Sequence, residues 1–247
     1  MQSDSLYTGM AGLQAINARM QALASNLANA QTPGYAALQA VTQPDFYQGS
    51  NAPAGADAAT FNAGPDTTQG PPRETGDPMN VALSGDAWLQ VQTSSGPALT
   101  RNGTLAISAA GILTDSSGNP VLGTNGQPIS LPTLQKLQIG TDGTVSGIPA
   151  NSTSGQAQQY GQIALISTPA GTLTQLSGTL YAPPAGVTLS PSTNGGLQQG
   201  YLNQSNVNPT QAMMELIGDS RSYQMQTQLM HSQSTASADL NTLVAQG

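Results

Sequence analysis

The twelve residues Ala24 to Tyr35, ASNLANAQTPGY, decide how the chain is divided. They begin as helix and end as turn. Thr32 precedes Pro33 and is pushed away from α geometry. Pro33 has no amide hydrogen to donate, and Gly34 can take the positive φ of a turn. A boundary this sharp is either an ordinary helix end or a junction between two parts of the molecule.

Upstream of it, Leu6, Met10, Leu13, Ile16, Met20, Leu23 and Leu27 recur at steps of three or four. Such spacing predicts a helix over 4–30, roughly 40 Å long at 1.5 Å per residue. Asp4 and Arg19 are its only charges, fewer than a solvent-facing helix normally carries. Two readings follow: a helix packed on the chain's own core, which this segment alone favours, or one surrounded by neighbouring subunits.

Downstream, residues 36–77 show no sustained period. The stretch NAPAGADAATFNAGPDTTQGPP, 51–72, reads as an extended or poorly ordered connector. From Met79 to about Pro184 the pattern becomes short strands broken by Gly, Asn-Gly, Asp-Gly and Gly-Asn-Pro. These dipeptides supply the positive φ of tight hairpins and predict an antiparallel β-domain. Its expected core includes Trp88, Leu89, Val91, Leu105, Ile107, Leu122, Leu137, Ile139, Ile163 and Leu165.

The last segment returns to helix. Asn208 is placed to cap it, Pro209 suits its first position, and Gln211 stands where a capping box needs it. Met213, Met214, Leu216, Ile217, Tyr223, Met230, Leu240, Leu243 and Val244 mark an apolar side, interrupted by Gln224, Thr227, His231 and Ser234.

Composition narrows the function. Only 7% of the 247 residues are charged and 37% are hydrophobic, so the core per residue is thin. The net charge is −7, and the five basic residues, Arg19, Arg73, Arg101, Lys136 and Arg221, form no stripe. Nucleic acid and anionic membranes are therefore not expected partners. Without cysteine there are no disulfides, thiolate metal sites or cysteine nucleophiles. No run of 18 apolar residues predicts a membrane span, and the N-terminus lacks the basic and apolar regions of a cleaved signal.

No constellation carries catalysis. His231, the single histidine, sits among Gln, Met and Ser on the last helix, where nothing presents it in a cleft. Asp86, Asp115 and Asp142 adjoin turn residues and are expected to bond nearby backbone amides. Asp115-Ser116-Ser117-Gly118-Asn119 lacks the spaced acids and terminal Glu of a calcium loop and reads as a hairpin turn. No phosphate-binding glycine motif occurs, so no catalytic residue, metal or cofactor is assigned.

Three separated stretches together resemble the axial proteins of the bacterial flagellum, the rod and hook subunits. LYTGMAGLQAINARMQALASNLANAQTPGY (6–35) is similar to the family's N-terminal helix and its signature, carried here by Ala24, Asn26, Leu27, Ala28, Asn29, Thr32, Pro33, Gly34 and Tyr35. MNVALSGDAWLQVQ (79–92) and LTRNGTLAISAAGILTDSSGNPVLG (99–123) resemble its β-domain. GYLNQSNVNPTQAMMELIGDSRSYQMQTQLM (200–230) resembles its C-terminal segment. Thr32-Pro33-Gly34, Trp88-Leu89 and Arg221-Ser-Tyr-Gln-Met-Gln226 are most like a proximal-rod subunit, whereas Ala87 stands where a Gly is usual.

The resemblance implies a structural rod subunit in the periplasm, exported by the flagellar type III apparatus without signal cleavage. Its implied partners are copies of itself, other rod proteins and that apparatus, with no nucleic acid and no membrane insertion. The rivals are a distal-rod subunit, a secreted β-rich adhesin or binding module, and an enzyme relying on carboxylates alone. The expected fold is α+β: long N- and C-terminal helices pairing as a coiled coil, with a β-rich middle of short antiparallel strands. The expected divisions are helix 1–33, extended connector 34–77, β-rich domain with return connector 78–199, and C-terminal helix 200–247. Expected interface residues are Leu6, Met10, Leu13, Ile16, Met20, Leu23, Asn26, Leu27, Asn29, Met213, Leu216, Ile217, Tyr223 and Met230. Thr32, Pro33, Gly34 and Tyr35 are read as a hinge. Pro33→Ala with Gly34→Ala is expected to leave a stable subunit that assembles poorly.

Overall fold

The computed structural model describes residues 2–47, 55–152, 155–168, 173–183, 186 and 189–245, with the backbone alone for 2–8, 40–47, 55–63 and 237–245. Its contacts divide the chain into two compact units. One gathers Met1–Ala28, Leu38–Ala63 and Asn208–Gly247; the other holds Asn29–Ala37 and Gly64–Val207.

The first unit is built on α1 (Gln2–Ala28) and α2 (Pro209–Ala245). At 1.5 Å per residue they are roughly 40 Å and 55 Å long. Gly9 faces Met230 while Arg19 meets Asp219, so residue numbers rise along one helix as they fall along the other. The pair is antiparallel.

The start of α2 follows the sequence closely. The Asn208 side-chain oxygen accepts the amides of Thr210 at 3.1 Å and Gln211 at 3.3 Å, satisfying donors that have no partner inside the helix. The reciprocal half of the capping box is not made: Gln211 Nε2 donates forward to Glu215 Oε1 at 3.0 Å. Strand geometry at Tyr201–Asn203 also places the helix start later than residue 200.

Between the helices in sequence lie β1 (Leu38–Tyr47) and β2 (Gly55–Pro65), which pair as a two-stranded ribbon. The expected connector thus carries regular structure. Its lack of apolar alternation concealed this, because a ribbon satisfies its backbone without a wide apolar face. A strand paired on one side also tolerates Pro44.

The second unit is all β. Its strands are β3 (Pro72–Glu74), β4 (Val81–Ser84), β5 (Ala87–Thr93), β6 (Gly96–Thr100), β7 (Leu105–Ile107), β8 (Leu113–Asp115), β9 (Leu134–Ile139), β10 (Thr144–Pro149), β11 (Gln158–Gln162), β12 (Leu165–Ser167), β13 (Thr174–Ser177), β14 (Leu180–Ala182), β15 (Ser190–Pro191), β16 (Gly196–Gln199) and β17 (Tyr201–Asn203). Six form one sheet in the order β13-β14-β6-β5-β12-β15 and three form β11-β10-β9. Two-stranded pairs β16-β4, β17-β3 and β7-β8 complete the unit, and these pairings are antiparallel. The hairpin between β9 and β10 turns at Asp142-Gly143, where Gly143 has φ +85°.

The six-stranded sheet separates two cores. Ala87, Leu89, Val91, Ala98 and Leu165 face one, with Val81, Leu113, Val121, Val145 and Ile163. Trp88, Leu99, Ile166 and Tyr181 face the other, with Ala36 and Leu173. Successive residues Ala87, Trp88 and Leu89 of β5 therefore point into different cores, and this start of the strand reads as an apolar run because both its faces are covered. Of the expected core, Leu137 is half-buried and Ile107 is 41% exposed. Ile107 ends β7 at the Ser108–Gly111 turn, beyond the cover that buries Leu105.

Candidate assembly interface

The packing of α1 differs from the reading of its apolar stripe. Its inner side carries Gly9, Ala15, Leu23 and Asn26, all buried, whereas Met10 is 51% exposed. A Cβ at Gly9 would stand 3.3 Å from Met230 Sδ, and one at Gly12 would stand 3.9 Å from Gln226 Nε2. Gly9 lets α2 approach closely, whereas a Cβ at Gly12 would make only ordinary contact. The large apolar stripe is turned aside by roughly a quarter of a helical turn, judged at 3.6 residues per turn. Leu13, Ile16, Met20 and Leu27 are consequently only half-buried. Leu6 lies in α1, but its side chain is outside the described residues.

The seam on α2 is half polar. Ala212, Leu216, Asp219, Gln226 and Met230 point inward at helical spacing. Arg19 reaches across to Asp219 at 3.1 Å and Glu215 at 3.6 Å. Its side chain is half exposed, so these ion pairs contribute little net stability, of order 0–1 kcal/mol.

The opposite side of α2 is apolar and uncovered. Met213, Met214, Ile217, Met225 and Leu229 are each at least half exposed, reaching 63% at Met214. Tyr223 is also exposed, at the margin of the seam. Arg221, Gln224 and Gln228 share this side at helical spacing, so five large exposed apolar side chains stand among polar ones, an arrangement that suits an interaction surface. Met213, Met214 and Ile217 belong to the apolar side read from the sequence; Met225 and Leu229 do not, because a single-stripe reading admits one face only.

Asn26 and Asn29 are engaged within the chain. The Asn26 amide clamps β1, donating to Leu38 O at 3.0 Å and accepting Leu38 N at 2.8 Å. Asn29 closes the turn after α1: its carbonyl accepts Thr32 N at 3.0 Å, and its side-chain oxygen accepts the Thr32 hydroxyl at 3.2 Å.

Thr32-Pro33-Gly34-Tyr35 behaves as an anchor within the second unit. Gly34 has φ +69°, donates to Asn203 O at 2.9 Å, and leaves no room for a Cβ, which would overlap the Arg101 carbonyl. Tyr35 is buried, and Ala36 N donates to the Tyr181 hydroxyl at 3.4 Å, which donates back to Ala36 O at 3.2 Å. Ala37 N donates to Asn206 Oδ1 at 2.7 Å, while Asn206 Nδ2 donates to Asp66 O and Thr68 O. Asn203 accepts Leu83 N at 2.6 Å and donates to Leu83 O at 3.1 Å. Segments near the two ends of the chain are thus sewn into one body. The double alanine substitution would strain it, so lower subunit stability is expected in place of the stable, poorly assembling subunit read from the sequence.

Arg101 underlies this anchor. Its guanidinium lies 4.4 Å from the Trp88 ring centroid and donates to Thr67 O. Burial works against its charge, and nearby Asp86 works in favour. Trp88 meets Tyr181 edge-on at 5.3 Å, and burial pushes the Tyr181 phenol well above its ordinary range. Arg101, Asn203 and Asn206 escaped the sequence reading, although all three lie in the stretches that carry the family resemblance.

Asp115 and Asp142 serve turns, whereas Asp86, also expected to bond nearby backbone amides, instead binds side chains far along the chain. Asp86 accepts the hydroxyls of Ser167 and Ser192, which hold its carboxyl below the usual carboxylate range. Asp115 accepts Ser117 N and Asn119 N, each at 2.8 Å, and Asn119 Nδ2 at 2.9 Å, as a hairpin turn requires. Asp142 accepts the Thr144 amide and hydroxyl, which lower its pKa in the same way. His231 is exposed on α2, with Nδ1 3.3 Å from Thr235 Oγ1. Among the described residues no group of three or more His, Cys, Asp or Glu could hold a metal ion, and no helix is long and apolar enough to cross a membrane.

Three family models match along the chain in order. They are the flagella basal body rod protein over residues 6–35, the flagellar hook protein FlgE/F/G D1 domain over 82–147, and the flagellar basal body rod FlgEFG protein C-terminal over 198–243. The flagellar basal-body rod protein FlgF of Escherichia coli K12 is 30% identical, over 98% of this chain and 98% of its own. The FlgF protein of Salmonella typhimurium is 30% identical over 92% and 93%. FlgG of Bacillus subtilis is 28% identical over 92% and 93%.

Proposed function

The chain belongs to the flagellar basal-body rod protein family, and from that premise we propose how its two units serve the rod. It is a structural subunit of the basal body, most like FlgF, and not an enzyme. Its terminal helices join neighbouring rod subunits, whether copies of itself or related proteins. The observation that carries this is the uncovered apolar face of Met213, Met214, Ile217, Met225 and Leu229, opposite the side that meets α1.

A subunit whose contacting patches differ on its two sides adds heterologous contacts, which extend into a helical tube when they do not close. The helices act as an antiparallel coiled coil inside such a tube. Support comes from the alternating steps of four and three at Ala212, Leu216, Asp219, Tyr223, Gln226 and Met230. Asp219 and Gln226 make the isolated seam marginal, so neighbours supply what one pair lacks. The helices Gln2–Ala28 and Pro209–Ala245 are the assembly segments, narrower than the expected 1–33 and 200–247, and the β-rich unit is the body. In this reading the rod stands in the periplasm, carries torque and lets export substrates through, and the chain arrives by the type III apparatus without signal cleavage.

Cryo-microscopy of purified basal bodies carrying this chain with a tag tests the assignment. The tag should appear in the rod; a rod without it overturns the reading.

A further inference from the structure

Six of the eight methionines, Met10, Met20, Met213, Met214, Met225 and Met230, lie in the two helices. Met10, Met213, Met214 and Met225 are each more than half exposed, whereas Met79 is partly buried against the β core. The chain has no cysteine to react first with an oxidant, and Trp88, its only tryptophan, is fully buried. Among the described residues, three of the four methionines that are more than half exposed, Met213, Met214 and Met225, therefore lie on the face proposed for contact with neighbours.

We propose that Met213, Met214 and Met225 form a reversible oxidation site that controls attachment of α2. This rests on the assembly reading above. Hydrogen peroxide transfers one oxygen to the thioether: the O–O bond breaks, an S=O bond forms, sulfur loses two electrons and the remaining oxygen leaves as water. The flexible apolar side chain becomes a strong hydrogen-bond acceptor. Burying it against an apolar neighbour without a donor then costs more than leaving it in water. Met225 and Met214 lie on the helix side that does not contact α1, so oxidation there leaves the intramolecular pair in place. Reductases for both sulfoxide epimers would restore the face.

The test uses the full chain, treated with graded hydrogen peroxide and followed by peptide mapping and light scattering. Met10, Met213, Met214 and Met225 should oxidise before Met79, and self-association should weaken by roughly tenfold for each sulfoxide that must be buried. M213L/M214L/M225L, which keeps volume and apolarity, should associate as before and resist peroxide. Reductase treatment should restore the wild-type chain. Oxidation of Met79 first, or equal loss in the wild type and the leucine variant, overturns the proposal. A chain that fails to associate before any treatment overturns the assembly reading, and the mapping order still decides the oxidation site.

Discussion

The turn at 29–37 and the outer face of α2 handle exposure in opposite ways. Around the turn, Gly34, Ala36 and Ala37 find partners in Asn203, Tyr181 and Asn206, and Tyr35 is buried. On α2, five large apolar side chains are each at least half exposed among the described residues. The first region is finished by its own chain. The second is complete only in company, so mutations should separate folding from assembly according to which region they touch.

Gly34→Ala should break that contrast most severely. A left-handed residue with a Cβ costs roughly 1–2 kcal/mol, and the overlap with Arg101 adds roughly 1–3 kcal/mol. Denaturant unfolding should show the whole loss, and unchanged stability would revive the hinge reading. Asn203→Ala comes next. It leaves the buried Leu83 amide and carbonyl without partners, at about 1–3 kcal/mol for each group. Asn203→Asp should restore only the acceptor half.

Asp86→Asn acts more weakly, and the loss it causes is greatest above the carboxylate's titration and shrinks on the acid side. Ser167 and Ser192 hold the folded carboxyl below its ordinary value of 3.8, so its contribution is present above that pH and fades as pH falls through the folded value. Thermal melts of Asp86→Asn should therefore lose part of the wild-type decline on the acid side. Smallest in stability is Leu229→Glu, expected within about 0.5 kcal/mol of wild type because the side chain is exposed. Motility and incorporation into basal bodies should nevertheless fall sharply. A motile strain carrying Leu229→Glu would remove α2's outer face from the interface.

Features governed by near neighbours were legible in advance. Asn208 caps α2, Asp115 and Asp142 organise their turns, and the apolar run through Trp88, Leu89 and Val91 is a central strand. What escaped depends on partners far along the chain. The stop at Pro33-Gly34 was visible, but its purpose depends on Arg101 and Asn203. The stripe from Met10 to Leu27 was visible too, yet the inner face was set by the small residues Gly9 and Ala15. Their value lies in what they allow another helix to do. The β1–β2 ribbon gave no periodic signal because pairing, not an apolar face, holds it.

The junction of residues 34–37 with Asn203 and Asn206 also governs timing. Contacts so widely separated in sequence are slow to form, since loop closure must precede them. Until residue 206 has left the ribosome, Ala37 has no Asn206 side chain to meet and the body cannot close. A chain in synthesis is therefore held open almost to its last helix, and its β-rich body completes only as α2 begins to emerge.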